Sequence, residues 1–151
     1  MEEKRTLELR HVADLLTMHF NIPSYQRGYR WESKHVEALL DDLYGFSKQM
    51  EDMPNKQGKF YCFQPLAIVK NKKLSNETDT VYDVIDGQQR LTTLYLLLSY
   101  LEETRKCNFS GRLATSLFTL KYESRDSDFL TKKNLKAVIL KSPFVILIFS
   151  I

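Results

Sequence analysis

Cysteine, glycine and proline are all scarce in this sequence of 151 residues, and long hydrophobic runs are absent. The two cysteines, Cys62 and Cys107, lie far apart without metal-binding spacing, which excludes a disulfide scaffold and favours plain core thiols in a reducing compartment. Five glycines and four prolines exclude a collagen. No stretch reaches the roughly 20 apolar residues that span a bilayer. Since Met1–Arg5 is charged and has no apolar core, we expect no standard signal peptide and a cytoplasmic protein.

A large excess of charge of one sign is also missing. The sequence has 22 lysines and arginines against 19 acidic residues, a net charge of +3, and an isoelectric point near 8.8. This excess is compatible with an anionic ligand but does not require one, since nucleic-acid-binding domains usually concentrate more positive charge on one face. With 43% hydrophobic and 27% charged residues, the composition is typical of one soluble globular domain.

The spacing of apolar residues predicts an α+β domain with a small mixed sheet and flanking helices, rather than a regular βαβ alternation. The predicted elements are a short helix at Leu9–Leu16, extended chain at His19–Tyr25, a helix capped by Ser33, strands at Phe60–Lys70 and Val81–Ile85, a helix at Gln88–Thr104, a strand at Leu117–Tyr122 and a helix from about Asp128. The two central strands are expected to form a hairpin with a long loop. Pro65 predicts an edge position or a bulge in the first of them.

The C-terminal segment is unusual, because AVILKSPFVILIFSI (Ala137–Ile151) ends the sequence on an apolar run. The run is too short to cross a membrane, and Pro143 would break a helix there. One interpretation is a buried strand. We favour a chain that is truncated or altered in reading frame, because an uncovered β-branched end is an aggregation hazard. We therefore divide the sequence into a domain at 1–130 and an apolar tail at 131–151.

The strongest candidate site is the segment VIDGQQRLTT, in which an apolar strand enters a glycine turn and then a helix. Free backbone N–H groups and the helix dipole favour an anion at such a helix start, and arginine can add a bidentate contact to phosphate. The candidate residues are Asp86, Gly87, Gln88, Gln89, Arg90, Thr92 and Thr93. Without a Gly-Lys-Ser/Thr sequence this is not a P-loop. Taken alone, the residues leave open an ordinary strand–turn–helix corner that binds nothing.

A second cluster, IPSYQRGYRW, places two arginines among three aromatic residues around a glycine. Its candidate ligand-binding residues are Gln26, Arg27, Tyr29 and Arg30, because arginine grips phosphate while an aromatic ring stacks on a base. The alternative is an aromatic loop that seals the core. Under either interpretation we expect Tyr25 and Trp31 to be structural. The cluster and the glycine turn are expected to form two walls of one pocket.

The remaining polar residues give weaker predictions. Asp83 and Asp86 are expected to face opposite sides of their strand, and the three histidines have no metal-binding spacing, so no protein metal site is predicted. Arg125 either joins the phosphate site or pairs with Glu123 or Asp126. No combination of serine, cysteine and histidine indicates nucleophilic catalysis.

Three ordered motifs, IPSYQRGYRW, YDVIDGQQRLTTLYLLLSYL and KYESRDSDFL, closely resemble the N-terminal domain of GmrSD-type restriction endonucleases. The resemblance covers roughly Leu7–Leu130. It implies a fold similar to ParB and sulfiredoxin, in which a glycine-containing turn that ends in arginine holds nucleotide phosphates. Members of the family defend bacteria and archaea against phages with modified DNA.

The resemblance also implies a function. In the family the Asp-Gly-Gln-Gln-Arg motif is tied to binding and hydrolysis of a nucleoside triphosphate with Mg²⁺, and a separate C-terminal domain with an HNH-like site cuts DNA. We therefore expect a regulatory nucleotide-binding domain in which Asp86, Gln89 and Arg90 act in hydrolysis, and no DNA cleavage by this chain alone. DNA would be reached through the full-length parent or a nuclease partner, no membrane contact is expected, and an oligomer is compatible with the sequence. The alternatives are a non-catalytic ParB-like module that uses nucleotide as a switch, and an inactive remnant.

Overall fold

The computed structural model describes residues 7–55, 58–105, 118–123 and 147–150. The elements are, in chain order, β1 (Glu8–His11), α1 (Val12–Leu15), β2 (His19–Ile22), α2 (Ser33–Asp52), β3 (Cys62–Lys70), β4 (Val81–Asp86), α3 (Gln88–Arg105), β5 (Thr119–Tyr122) and β6 (Leu147–Ser150). No helix in these ranges is both long and apolar enough to cross a membrane.

The strands form one mixed sheet in the order β1-β6-β3-β4-β2-β5. β3 and β4 pair antiparallel as a hairpin with a long loop, as the sequence predicts, and β2 runs parallel to both β4 and β5. The pairing of β3 shifts register between Cys62 and Pro65 and again between Ala67 and Ile68, which confirms the irregularity predicted from the proline. The small mixed sheet with its helices confirms the α+β prediction.

Alternate residues of the central strands point to the same face and form the core with α3. Phe20, Ile22 and Val84 from the sheet pack there with Leu91 and Leu94 from the helix. Full burial of a leucine or phenylalanine side chain is worth about 1.5–3 kcal/mol, so this face supplies much of the folding free energy. α3 is thereby fixed over the middle of the sheet.

α3 is buried on a second side as well. Leu96 and Leu97 form a smaller cluster with partly buried residues of α2 and of the segment before it, among them Tyr29 and Leu40. The helix therefore lies between the sheet and the IPSYQRGYRW segment, and this position brings the two sequence motifs together.

Several predictions about local detail were wrong. The first helix is shorter than predicted, because residues 8–11 form β1 and α1 has only 4 residues. The N-cap of α2 is Glu32 rather than Ser33, and its N–H donates to Nδ1 of His35 at 3.0 Å. Cys62 is exposed and not a core thiol. Cys107, the predicted helix from Asp128, and the tail apart from the β6 backbone lie outside the described residues.

Candidate functional site

The site is built on the abrupt change from β4 to α3 at Gly87. The backbone there has φ +88°, a conformation that only glycine adopts readily, and the Gly87 carbonyl accepts the first helical hydrogen bond from Leu91 N at 3.0 Å. A Cβ at this position would lie 3.1 Å from Leu66 Cδ1 and 3.2 Å from the Pro65 carbonyl oxygen. The turn therefore packs directly on β3, and the first N–H groups of α3 have no carbonyl partner within the helix.

The IPSYQRGYRW segment lies against this turn and is hydrogen-bonded to it. Gln26 Nε2 donates to the carbonyl oxygen of Ile85 at 2.9 Å, and Gln88 Nε2 donates to the carbonyl oxygen of Arg27 at 2.9 Å. The two sequence motifs are thus in direct contact, although about 60 residues separate them along the chain. That Arg27 and Arg90 share one nucleotide remains a prediction.

Gln89 makes the most complete contact between the two motifs. Its Nε2 donates to the carbonyl oxygen of Gly28 at 3.0 Å, and its Oε1 accepts from the N–H of Arg30 at 2.7 Å. The side-chain amide pairs with the main chain on both sides of Tyr29, as a neighbouring peptide group in a sheet would do. One N–H and one lone pair of the amide are left for another partner.

Tyr29 is tied to the first turns of α3 through a chain of hydroxyl groups. Thr93 Oγ1 donates its single proton to the Gln89 carbonyl oxygen at 2.9 Å, so the Tyr29 hydroxyl, 2.9 Å from Thr93 Oγ1, must be the donor in that contact. Burial raises the pKa of Tyr29 above its ordinary value. The phenol therefore stays neutral at physiological pH.

Thr92 points to the other side of the helix start, into the core. Its Oγ1 lies 2.6 Å from the hydroxyl of Tyr122 at the end of β5, and both residues are buried. Burial raises the pKa of Tyr122 as well, against the lowering effect of this hydrogen bond. The hydroxyl pair thus ties α3 to β5.

Four charged side chains near the turn between β4 and α3 do not share the hydrogen bonds described above. Asp86, Arg27 and Arg30 are exposed and make no side-chain hydrogen bond or ion pair to any residue that the structure describes. Arg90 is partly buried, and one long contact of 3.4 Å reaches from its Nη2 to the Pro65 carbonyl oxygen. Three guanidinium groups without a described acidic partner therefore belong to segments that meet at the glycine turn.

Asp83 belongs to a separate network on the polar face of the sheet. It accepts hydrogen bonds from Asn21 Nδ2 at 2.6 Å and from Asn71 Nδ2 at 2.9 and 3.0 Å. The same Asn21 nitrogen donates to Glu123 at 2.8 Å, and Glu123 accepts from the N–H of Ser24 at 3.0 Å. The third motif, through Glu123, therefore anchors the first. Sequence reasoning missed Asn21, although a polar residue between Phe20 and Ile22 in a buried strand was an available signal.

The structure leaves two predictions without a test and corrects a third. Arg125 lies outside the described residues, so its predicted contact with phosphate is neither supported nor contradicted. Among the described residues no group of three or more histidine, cysteine or acidic residues is placed to hold a metal ion. Tyr25, predicted to be structural, is 72% exposed at a turn closed by Gln26 N and the Pro23 carbonyl oxygen at 2.9 Å.

The fold and the site define an α+β domain in which a glycine turn starts a long helix and an arginine-bearing segment is hydrogen-bonded to that turn. A family model, described as GmrSD restriction endonuclease, N-terminal domain, matches residues 11–145. The match covers most of the 151 residues, so the chain belongs to this family and is a restriction-system component. No curated protein matches the chain.

Proposed function

We propose that the first turn of α3 binds the phosphates of a nucleoside triphosphate with Mg²⁺, and that the domain hydrolyses it to regulate a modification-dependent restriction system in the cytoplasm. The observation that carries this proposal is the set of exposed or partly exposed guanidinium groups without an acidic partner among the described residues, at Arg27, Arg30 and Arg90. Cations left unpaired beside a helix N-terminus favour a multiply charged anion.

The roles follow from the direction of each group. The N–H groups that follow Gly87 donate to phosphate oxygens, and Arg90 and Arg27 neutralise the phosphate charge, with Arg30 at the edge. Gln26, Tyr29, Gln88, Thr92 and Thr93 support this arrangement from behind, because their side-chain hydrogen bonds go to the protein. If Arg125 reaches the site, it adds a further cation.

The hydrolysis that we propose transfers the terminal phosphoryl group to water. The water oxygen attacks the γ-phosphorus, and the bond from the γ-phosphorus to the β–γ bridging oxygen breaks. The products are the nucleoside diphosphate and inorganic phosphate, with one proton released. Such a reaction depends on positioning and charge stabilisation. Asp86 is exposed and unpaired in the described structure, so its carboxylate is free to orient the water or to meet the hydration shell of Mg²⁺.

Calorimetric titration of the purified, demonstrably folded protein with each nucleoside triphosphate and Mg²⁺ tests binding. We expect saturable binding of at least one triphosphate, weakened by Arg90→Ala. A folded sample that binds none of them would contradict the proposal. DNA would be engaged through the nuclease part of the restriction system.

A non-catalytic switch is the second candidate. It is favoured by the contacts of Gln89, because its amide oxygen and nitrogen both bind main-chain groups and do not orient a water molecule. Asp86 is then the acidic side chain at the corner that is free to act on water. Release of inorganic phosphate separates the two. Turnover abolished by Asp86→Asn with binding retained supports hydrolysis, whereas tight binding without phosphate release supports the switch.

A further inference from the structure

The arginine loop, which we define as residues Ser24–Arg30, is held by its main chain while its charged side chains are free. Glu123 binds the N–H of Ser24 at one end, and Gln89 binds the Gly28 carbonyl and the Arg30 N–H at the other. Between them Gln88 binds the Arg27 carbonyl. The guanidinium groups of the loop make no contact of this kind with the described residues.

Gln89 is the only described side chain that contacts this loop with both a donor and an acceptor. A primary carboxamide offers N–H and C=O groups at a fixed separation, so it pairs with a peptide segment as a strand does. Glutamate has the same shape but places a second oxygen against the Gly28 carbonyl, where two acceptors repel. Gln88 makes one contact, and its own Oε1 is buried without a partner in the described structure.

We propose that Gln89 is a positioning residue: its carboxamide holds the main chain of Gly28 and Arg30 and thereby keeps the guanidinium groups of Arg27 and Arg30 beside the first turn of α3. The ligand in this inference is the triphosphate of the proposed function, on which it rests. Gln89 acts through the arginine loop and not through direct contact with phosphate or water.

The test combines hydrogen exchange with a double-mutant cycle. In Gln89→Met without nucleotide, we expect the Arg30 N–H to exchange at least about tenfold faster than in the wild type, because methionine keeps the length of the side chain but offers this N–H no acceptor. Exchange of amides in the middle of α2 should not change, and the melting temperature should show that the variant is folded. Gln89→Glu, which keeps an acceptor for the Arg30 N–H but loses the donor to the Gly28 carbonyl, should give a smaller local increase.

The cycle measures triphosphate affinity in two backgrounds. In the wild-type background, the uncharged substitution Gln89→Met should weaken binding by about tenfold or more. In an Arg27→Ala, Arg30→Ala background the same substitution should weaken it by less than about threefold, because the groups that Gln89 positions are gone.

The possible results distinguish a failure of the role inferred for Gln89 from a failure of the proposed triphosphate binding. If the wild type binds no triphosphate, the proposed function fails, while the Arg30 exchange still decides whether Gln89 holds the loop. Unchanged exchange in both variants would overturn the inference. An equal loss of affinity in the two backgrounds would also overturn it, since that is the result for a residue that contacts the ligand directly.

Discussion

Two sets of side chains occupy the same two short segments, yet their hydrogen bonds go in opposite directions. The inward set binds protein atoms and consists of Gln26, Tyr29, Gln88, Gln89, Thr92 and Thr93. The outward set makes no short polar contact with the described protein and consists of Arg27, Arg30, Asp86 and, apart from one contact of 3.4 Å, Arg90.

Most of the polar side chains in these two segments therefore hold the protein structure in place, and fewer are available to a ligand. Neutral amides and hydroxyls can satisfy each other when buried, at a net gain of about 1 kcal/mol for each hydrogen bond. Guanidinium and carboxylate groups lose too much hydration to be buried unpaired, so they remain at the surface for a charged ligand. Inward substitutions should therefore change stability or the position of the arginine loop, and outward substitutions should change binding without changing stability.

The largest expected effect is on stability at the turn itself. Gly87→Ala must place a side chain at φ +88° and 3.1–3.2 Å from Leu66 and Pro65 atoms, so we expect a loss of about 2–4 kcal/mol in the free energy of unfolding. Denaturant unfolding measures this. The matched control is Gly45→Ala within α2, where nothing lies within 4 Å of the new Cβ, and a gain of about 0.5–1 kcal/mol is expected. Equal effects at the two glycines would contradict the account of the turn.

Arg90→Ala should separate binding from stability. Its single 3.4 Å contact contributes little to folding, but loss of a charge-assisted hydrogen bond to phosphate should weaken triphosphate binding by about 1.5–3 kcal/mol. Calorimetry and thermal melting measure the two quantities. Arg90→Lys keeps the charge without the bidentate geometry and should recover part of the affinity. A fall in melting temperature with unchanged affinity would move Arg90 to the inward set.

The Thr92–Tyr122 pair tests the inward set, in which a substitution should change stability. Thr92→Val or Tyr122→Phe alone removes one partner of a buried 2.6 Å hydrogen bond and should cost about 1–3 kcal/mol of stability. The double variant removes both polar groups, so it should cost less than the sum of the single changes. Strict additivity in denaturant unfolding would show that the two hydroxyls do not depend on each other.

The smallest expected effect is a pH dependence of stability that is absent at neutral pH and appears only in alkaline solution. Burial raises the pKa of Tyr29 and Tyr122 above the ordinary value of a tyrosine, so the folded state holds these protons more tightly than the unfolded chain does. Their stabilising contribution is complete below about pH 10 and is lost as the pH rises through the raised values. Tyr29→Phe should therefore show a shallower loss of stability above pH 10 than the wild type. An identical pH dependence would contradict the assigned burial of this phenol.

The secondary structure near the site could be predicted well, because its signals are local. An apolar strand, a glycine and a run of helix formers specify β4, the turn and α3 within one or two residues. The hairpin follows from turn composition, and the irregular pairing of β3 between Cys62 and Pro65 follows from the missing N–H group of the proline. The errors at β1, Cys62 and Tyr25 share a cause, because strand pairing and exposure depend on which distant segment lies alongside.

The sequence by itself determined the family, the α+β class, the glycine turn and which residue types stand at the corner, since each depends on the identity and spacing of near neighbours. Only the tertiary structure decided which of those residues the protein uses itself. Gln88 and Gln89 are adjacent to Arg90 in the chain, but they meet carbonyl groups 61 residues away, and Asn21 meets Glu123 across a separation of 102. Such contacts form only when α3 lies between the sheet and the arginine loop, because a buried amide takes the partner that packing brings to it.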